Sequence, residues 1–151
     1  MTSLRGPDPY AAAEAALARL SARPATAMRE LCRVLHETVP TYTWVGLVRV
    51  AATGGRLLAQ HGAARRETAL TAACAALLAD TTTLVIRDLL AAAAYRACFP
   101  AARALIAVPL EPGLVLVITS AYQGAFGLAD RDLLATVARR WAENTTKSAR
   151  E

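Results

Sequence analysis

Residues 105–120 read LIAVPLEPGLVLVITS and contain two apolar runs that a turn separates. The runs at 105–110 and 114–120 are rich in β-branched and leucine residues, which suit buried strands. Glu111, Pro112 and Gly113 between them are typical of a turn. We therefore predict an antiparallel hairpin, and its near-continuous apolar character indicates a central position in a sheet covered on both faces.

A second hairpin is predicted upstream, where a strand over 42–50 is followed by Gly54-Gly55 and a strand over 56–61. A short strand is predicted over 83–87. Apolar periodicity and the capping pair Asp8-Pro9 predict helices over 10–20, 26–38, 67–79, 89–98 and 129–144. The order ααββαβαββα predicts an α+β domain with an antiparallel sheet and helices packed on it.

The chain of 151 residues is long enough for one domain with a substantial core. We expect a flexible N-terminus over 1–8, a single domain over 9–146 and a C-terminal tail over 147–151. The apolar runs are shorter than the roughly 18–20 residues of a membrane span, and no apolar segment typical of a signal peptide follows the N-terminus. The sequence therefore predicts a cytoplasmic protein without a membrane partner.

The net charge of +5 comes almost entirely from arginine, since Lys147 is the only lysine. The arginines are scattered, no basic run reaches three residues, and aromatic residues make up only 5% of the chain. A nucleic-acid surface usually shows a basic stripe with stacking aromatics. We therefore expect solvated helix faces and no nucleic-acid partner, and the preference for arginine and alanine is typical of a bacterium with a GC-rich genome.

Three cysteines, Cys32, Cys74 and Cys98, form an odd set without a CxxC motif. This pattern indicates neither a disulfide framework nor a zinc site, and it favours a reducing compartment. His36 and His61 lack the spacing of metal ligands. The sequence therefore predicts no metal and no cofactor.

Five segments resemble the GAF domain family in their order and spacing, and together they cover about residues 25–142. The segments are Trp44-Val45-Gly46-Leu47, Val85-Ile86-Arg87-Asp88, Tyr95-Arg96-Ala97-Cys98 leading into Ile106-Ala107-Val108-Pro109-Leu110, and Gly124-Ala125-Phe126 before Asp130-Arg131-Asp132-Leu133-Leu134. The resemblance implies a small antiparallel-sheet domain that holds a ligand between its sheet and inserted loops. It further implies a sensor or interaction module, which would form a homodimer through its terminal helices and act on a signalling partner.

One enzymatic branch of that family, the free methionine-(R)-sulfoxide reductases, has the size of this chain. The spacings from Cys74 to Asp88 and from Cys98 to Pro109 match this branch. The resemblance then implies a thiol-dependent reductase, in which Cys98 is the nucleophile and Cys74 the resolving thiol. A further cysteine of the branch falls at Ala64, and its acidic ligands fall at Leu105, Val117 and Thr119. An ammonium group has no obvious partner in such a site, so zwitterionic methionine sulfoxide is a poor candidate ligand.

The leading prediction is therefore a stand-alone GAF-type sensor or interaction module, not an enzyme, that binds a small neutral or apolar ligand. The residues predicted to line the site are Trp44, Val48, Cys98, Leu105, Val117 and Thr119. The alternatives are the divergent reductase and a structural dimerisation domain with a collapsed pocket.

Several residues discussed above also have simpler structural interpretations. Trp44 suits either ligand stacking or core filling. Cys74 and Cys32 are interpreted as helix packing residues, Cys98 as a structural or reactive thiol, and Asp88 as a helix cap.

Overall fold

The computed structural model describes residues 8–62, 69–79 and 82–150, the last five of these by their backbone alone. Apart from Asp8, the N-terminus predicted to be flexible lies outside these residues, and so does Ala64. The helices are α1 (Pro9–Leu17), α2 (Pro24–Thr38), α3 (Ala72–Leu78), α4 (Ala93–Cys98) and α5 (Leu128–Arg150), with a 3-10 helix at Leu89–Ala91. The strands are β1 (Trp44–Ala51), β2 (Gly54–Gly62), β3 (Ala69–Leu70), β4 (Leu84–Ile86), β5 (Ala104–Glu111) and β6 (Leu114–Ser120).

The six strands form one antiparallel sheet in the order β3-β2-β1-β6-β5-β4. The predicted hairpins are β1–β2 and β5–β6, and β1 and β6 lie at the centre. All seven residues of β6 are buried, because helices cover both faces of the sheet. The predicted α+β class, the antiparallel sheet and the doubly covered hairpin are therefore confirmed.

The two faces of the sheet carry separate apolar clusters. The first, the long-helix core, joins one face to α1, α2 and α5 and includes Leu35, Leu47, Ile106, Leu134 and Trp141. The second, the short-helix core, joins the opposite face to α3, α4 and the 3-10 helix. Its buried members are Trp44, Val48, Leu57, Leu70, Leu78, Leu89, Cys98, Phe99, Leu105, Ala107, Val115 and Val117. Strand alternation separates the clusters, since successive side chains point to opposite faces.

The predicted helix over 67–79 is wrong at its start, where Ala69 and Leu70 form strand β3. Leu70 pairs with Gly55 at the edge of β2. The periodicity of residues 67–79 does not show that a strand edge is available for pairing. Helix α3 begins only after Thr71, whose Oγ1 accepts a 3.2 Å hydrogen bond from the Cys74 amide. An N-cap of this kind fixes where a helix starts.

Two other predicted helices differ in extent. The helix over 89–98 is divided at Ala92 into the 3-10 helix and α4. Asp88 caps the 3-10 helix as predicted, since its Oδ1 accepts a 3.0 Å hydrogen bond from the Leu90 amide. Helix α5 continues past the predicted end at Asn144 to Arg150. No helix in the described ranges is long and apolar enough to cross a membrane.

A buried carboxylate ties α1 and α5 to the segment before β1. Asp130, 3% exposed, accepts hydrogen bonds from the Tyr42 hydroxyl at 2.7 Å, the Tyr10 hydroxyl at 3.1 Å and the Gly127 amide at 2.8 Å. Burial and the Asp130 charge raise the pKa of Tyr10 to about 12, and the same causes raise the pKa of Tyr42. Three separate chain segments therefore depend on one carboxylate.

Candidate functional site

Cys74 and Cys98 form a disulfide bond across the short-helix core, with their Cα atoms 5.9 Å apart. This pairing corrects the expectation from the odd cysteine count that no disulfide would form. It also corrects the interpretation of Cys74 as a simple packing residue. Cys32 is fully buried in the long-helix core, as its packing interpretation predicts.

The two sulfur atoms belong to short helices that cover the same face of the sheet. Cys74 lies in the first turn of α3, and Cys98 is the last residue of α4. Cys98 is 5% exposed and belongs to the short-helix core, whereas Cys74 is partly buried against that core. The disulfide therefore runs from the inside of the cluster towards its surface.

The sheet supplies the floor beneath this disulfide. Thr119 on β6 lies opposite Trp44 on β1 and opposite Leu105 on β5. Residues directly opposite one another in antiparallel strands share a face. Val48, Leu105 and Val117 are fully buried, and Thr119 is 6% exposed. The six residues predicted to line the site therefore lie on one side of the sheet, and their role in ligand binding stays a prediction.

Trp44 lies flat along its own strand, because Gly46 has no side chain. A Cβ atom at Gly46 would overlap the Trp44 indole. The indole Nε1 donates a 2.9 Å hydrogen bond to Gln60 Oε1, and the ring centroid lies 6.1 Å from that of Phe99. Phe99 follows Cys98 directly, so the indole lies close to a residue that adjoins the disulfide.

Gly46, Gln60 and Phe99 were not identified as site residues from the sequence. Strand alternation could have found two of them. Gly46 lies two residues from Trp44, and Gln60 pairs with Gly46 across β1 and β2. The position of Phe99 depends on how α4 packs against the sheet, and no local sequence pattern shows this packing.

Of the buried residues in the described ranges only Asp130 is charged, and it bonds to Tyr42 of the long-helix core, on the other side of the sheet. Two arginines lie near the cysteines in sequence, Arg96 and Arg103. Arg103 lies beside Asp88, with an Nη2–Oδ1 distance of 3.7 Å, and donates a 3.2 Å hydrogen bond to Gln123. Arg96 is exposed on α4. The site therefore combines an apolar environment with one pair of cysteines that can form a disulfide.

His36 and His61 lie close together although they are far apart in sequence. Their ring centroids are 5.2 Å apart, and the pairing of His61 with Val45 places it towards the long-helix core, away from the disulfide. His36 Nδ1 lies 2.9 Å from the Tyr42 carbonyl oxygen, and His61 Nε2 lies 3.9 Å from Glu37 Oε1. Across the described ranges no group of three or more His, Cys, Asp or Glu side chains is arranged to hold a metal ion.

The arrangement of sheet and helices is shared with solved structures of GAF domains and sulfoxide reductases. The free methionine-R-sulfoxide reductase of Neisseria meningitidis, solved with its substrate, superposes with a TM-score of 0.75 at 23% identity, over 91% of this chain and 86% of that one. The type II free methionine-R-sulfoxide reductase of Thermoplasma acidophilum gives 0.69 at 23% identity, over 93% and 96%.

A third similar structure is a GAF domain. The phycocyanobilin-bound GAF domain of a cyanobacterial phytochrome gives a TM-score of 0.71 at 10% identity, over 95% of this chain and 96% of that one. No family model matches the sequence, and no curated protein matches it. The chain therefore has the GAF fold, which both ligand-binding domains and reductases use.

Proposed function

We propose that this chain is a thiol-dependent sulfoxide reductase of the GAF fold that acts on a small, uncharged sulfoxide. The observation that carries this proposal is the bond between Cys74 and Cys98 at the edge of an apolar cluster. In a reducing compartment, which is the proposed location, a disulfide is usually transient and catalytic rather than structural. The paired cysteines thus support the reductase, which is the alternative interpretation of the sequence.

The reaction proceeds in two steps. In the first, the Cys98 thiolate attacks the sulfoxide sulfur, and the sulfoxide oxygen moves to the Cys98 sulfur and takes up the proton that the thiol had released. The products are a thioether and a Cys98 sulfenic acid. In the second, the Cys74 thiol attacks the Cys98 sulfur and expels the oxygen as water. Both thiol protons leave in that water, the sulfoxide gains two electrons, and the cysteine pair loses two.

Burial supports this order of events. Cys98 belongs to the apolar cluster that Trp44, Phe99 and Val117 help to form, so an apolar substrate that binds against this cluster would meet its sulfur. Cys74 lies at the margin of the same cluster. We therefore assign the attack on substrate to Cys98 and its resolution to Cys74.

The floor of the site supports an uncharged substrate. A buried ammonium or carboxylate group costs several kcal/mol unless a partner of opposite charge is present. Leu105, Val117 and Thr119 occupy the floor in this chain and supply no such charge. A free amino-acid sulfoxide would carry both charges, whereas a dialkyl or aryl alkyl sulfoxide carries neither.

The test is an NADPH-coupled assay with thioredoxin and thioredoxin reductase as electron donors and methyl phenyl sulfoxide as substrate. We expect NADPH consumption that depends on this protein and falls to background in Cys98→Ser. Cys32→Ala is the matched control, because Cys32 lies across the sheet in the long-helix core. This variant should keep its turnover.

A protein whose disulfide is reduced in this assay but that reduces neither methyl phenyl sulfoxide nor free methionine sulfoxide would disprove the reductase. Unchanged turnover in Cys98→Ser would disprove the assigned nucleophile. Faster turnover of free methionine sulfoxide than of methyl phenyl sulfoxide would contradict the uncharged substrate.

A GAF-type sensor is the second candidate, and the uncharged floor favours it as well. In this function the same face would bind a neutral ligand without chemistry, and the domain would act as a homodimer that contacts a signalling partner. A neutral ligand that raises the melting temperature of a double Cys74→Ser, Cys98→Ser variant would support the sensor. Absence of any such shift across a panel of neutral ligands would count against it.

A further inference from the structure

We propose that a cavity between α5 and the C-terminal end of α1 binds a small aliphatic monocarboxylate. Its carboxylate pairs with Arg140, and its apolar end lies against Leu17 and Leu20. The cavity is on the long-helix side of the sheet, where Leu17 belongs to the core and Leu20 packs against it. It is therefore separate from the disulfide and from the floor beneath it, and the inference does not depend on the proposed reductase.

The cavity lies where the end of α1 meets α5. Its lining residues are Leu17, Ala18 and Leu20 on the first side and Arg140, Glu143 and Asn144 on the second. Its volume is about 170 Å³, smaller than the roughly 300–1,000 Å³ of sites for drug-sized ligands. A water molecule takes about 30 Å³ of liquid, so there is room for a ligand of about six non-hydrogen atoms.

Hydrogen bonds hold the segment after α1 in place against α5. The Asn144 side-chain amide donates a 3.2 Å hydrogen bond to the Ser21 carbonyl oxygen. The Leu20 amide donates a 3.3 Å hydrogen bond back to the Leu17 carbonyl oxygen, so the chain turns tightly after α1. Both sides of the cavity are therefore formed before a ligand binds.

Arg140 supplies the charge that the ligand must complement. Leu133 and Val137 are buried and precede it by seven and three residues, a spacing that places all three side chains on one side of α5. Arg140 Nε is buried without a hydrogen-bond partner among the described residues, and no ion pair of Arg140 is found there either. A partly buried charge with an unused donor is stabilised by an anion. A carboxylate suits a guanidinium best, because it accepts two parallel hydrogen bonds.

The rest of the lining determines the remainder of the ligand. Leu17 is buried and Leu20 is half-buried, so an aliphatic group against them leaves water favourably. Glu143 is exposed, whereas Arg140 is half-buried. Solvent therefore screens the repulsion from Glu143 more strongly than the attraction to Arg140. The lining fits a short branched monocarboxylate, and isobutyrate has the required size.

The test is a titration of the isotopically labelled protein with isobutyrate, followed by NMR. We expect saturable shifts in the amide signals of residues 17–21 and 140–144, and unchanged signals for Trp44, Val117 and Thr119 across the sheet. Isobutyramide has the same shape without the charge. It should bind at least about tenfold more weakly, because hydrogen bonds between charged groups are the stronger ones.

Variants separate Arg140 from its surroundings. Arg140→Gln should weaken isobutyrate binding at least about tenfold, and Arg140→Lys, which keeps the charge without the planar fork, should give an intermediate affinity. Leu20→Ala should weaken binding about threefold or more, because it removes apolar contact with the ligand. Arg139→Gln is the matched control and should keep its affinity, since Arg139 is the exposed neighbour outside the cavity lining. Circular dichroism first checks that each variant is folded.

Several results would overturn the proposal. They include no saturable shift with isobutyrate, or shifts centred on Trp44 and Thr119. Equal binding of isobutyramide would remove the carboxylate, and equal losses in Arg139→Gln and Arg140→Gln would show only unspecific attraction to positive charge. Tighter binding of 2-aminoisobutyrate, which is isobutyrate with an added ammonium group, would replace the monocarboxylate by an amino acid. None of these results depends on sulfoxide turnover.

Discussion

The lack of a side chain at Gly46 shapes the floor of the candidate site. The Trp44 indole occupies the space beside Gly46 and reaches towards Phe99 next to the disulfide. The hydrogen bond from its Nε1 to Gln60 satisfies the polar atom of an otherwise apolar ring. The orientation of Trp44 is thus fixed by two residues on its own hairpin.

Gly46→Ala should destabilise the protein by about 1–3 kcal/mol, because the added methyl group overlaps the indole and forces it to move. Urea unfolding measures the loss, and near-UV circular dichroism should show a changed tryptophan signal. Gly127→Ala is the control, since a Cβ atom there meets nothing within 4 Å. It should leave the tryptophan signal unchanged, and an equal change in both variants would contradict the role of Gly46.

The tyrosines bound to Asp130 predict a loss of stability at alkaline pH. The folded protein raises the pKa of Tyr10 from 10.0 to about 12, so it holds the proton more tightly than the unfolded chain does. The resulting stability is present below pH 10 and is lost as the pH rises through 12. Tyr42 acts in the same direction.

We therefore expect the free energy of unfolding to fall across this range, and to fall less steeply in Tyr10→Phe. Urea titrations at a series of alkaline pH values measure the slope. Tyr122→Phe serves as the control, because Tyr122 is 62% exposed. A Tyr10→Phe slope equal to that of the wild type would contradict the contribution of this hydroxyl.

Among the secondary-structure elements, α3 and α4 are short helices that the disulfide joins. Helices of six or seven residues are marginal by themselves and depend on tertiary contacts. The disulfide closes a loop between positions 24 residues apart. Such a loop restricts the unfolded chain and thereby stabilises the folded one.

Reduction by dithiothreitol should lower the free energy of unfolding by about 3 kcal/mol, the scale expected for a loop of this length. Cys74→Ser should show a similar loss and no further response to dithiothreitol. Cys32→Ala should still respond, because it keeps the pair. Identical urea midpoints with and without dithiothreitol in the wild type would contradict this prediction.

The elements that local chemistry specifies could be predicted from the sequence. Apolar runs with a glycine turn define the hairpins β1–β2 and β5–β6, and Asp8-Pro9 marks the start of α1. Strand β3 could not be predicted, because its two residues become a strand only by pairing with the distant edge of β2. Local patterns do not show the disulfide for a related reason, since it depends on how α3 and α4 pack against one face of the sheet. Only the family resemblance, through the reductase alternative, coupled Cys74 to Cys98.

Considered as a whole, the molecule is a sheet with one tryptophan on each side. Trp44 lies in the short-helix core, and Trp141 lies in the long-helix core, where its Nε1 donates a 3.4 Å hydrogen bond to Glu111. The sheet separates them. Each indole therefore reports on one half of the structure.

Reduction of the disulfide should change the emission of Trp44 and not that of Trp141, because only Trp44 shares a cluster with Cys98. We expect the fluorescence change to persist in Trp141→Phe and to vanish in Trp44→Phe. A change that survives in Trp44→Phe would show that reduction alters the long-helix core as well.

Strand β4 lies at one edge of the sheet, paired with β5, and falls between the two cysteines in sequence. Oxidation therefore encloses this strand in a covalent ring, although neither cysteine belongs to it. The ring limits how far β4 can separate from the sheet by local unfolding. After reduction, detachment of β4 would expose β5 as an apolar edge strand with unpaired backbone groups. Strands of other molecules can pair with such an edge, and this pairing starts aggregation. Each round of reduction and reoxidation of the cysteine pair would thus alternately remove and restore the protection of this edge.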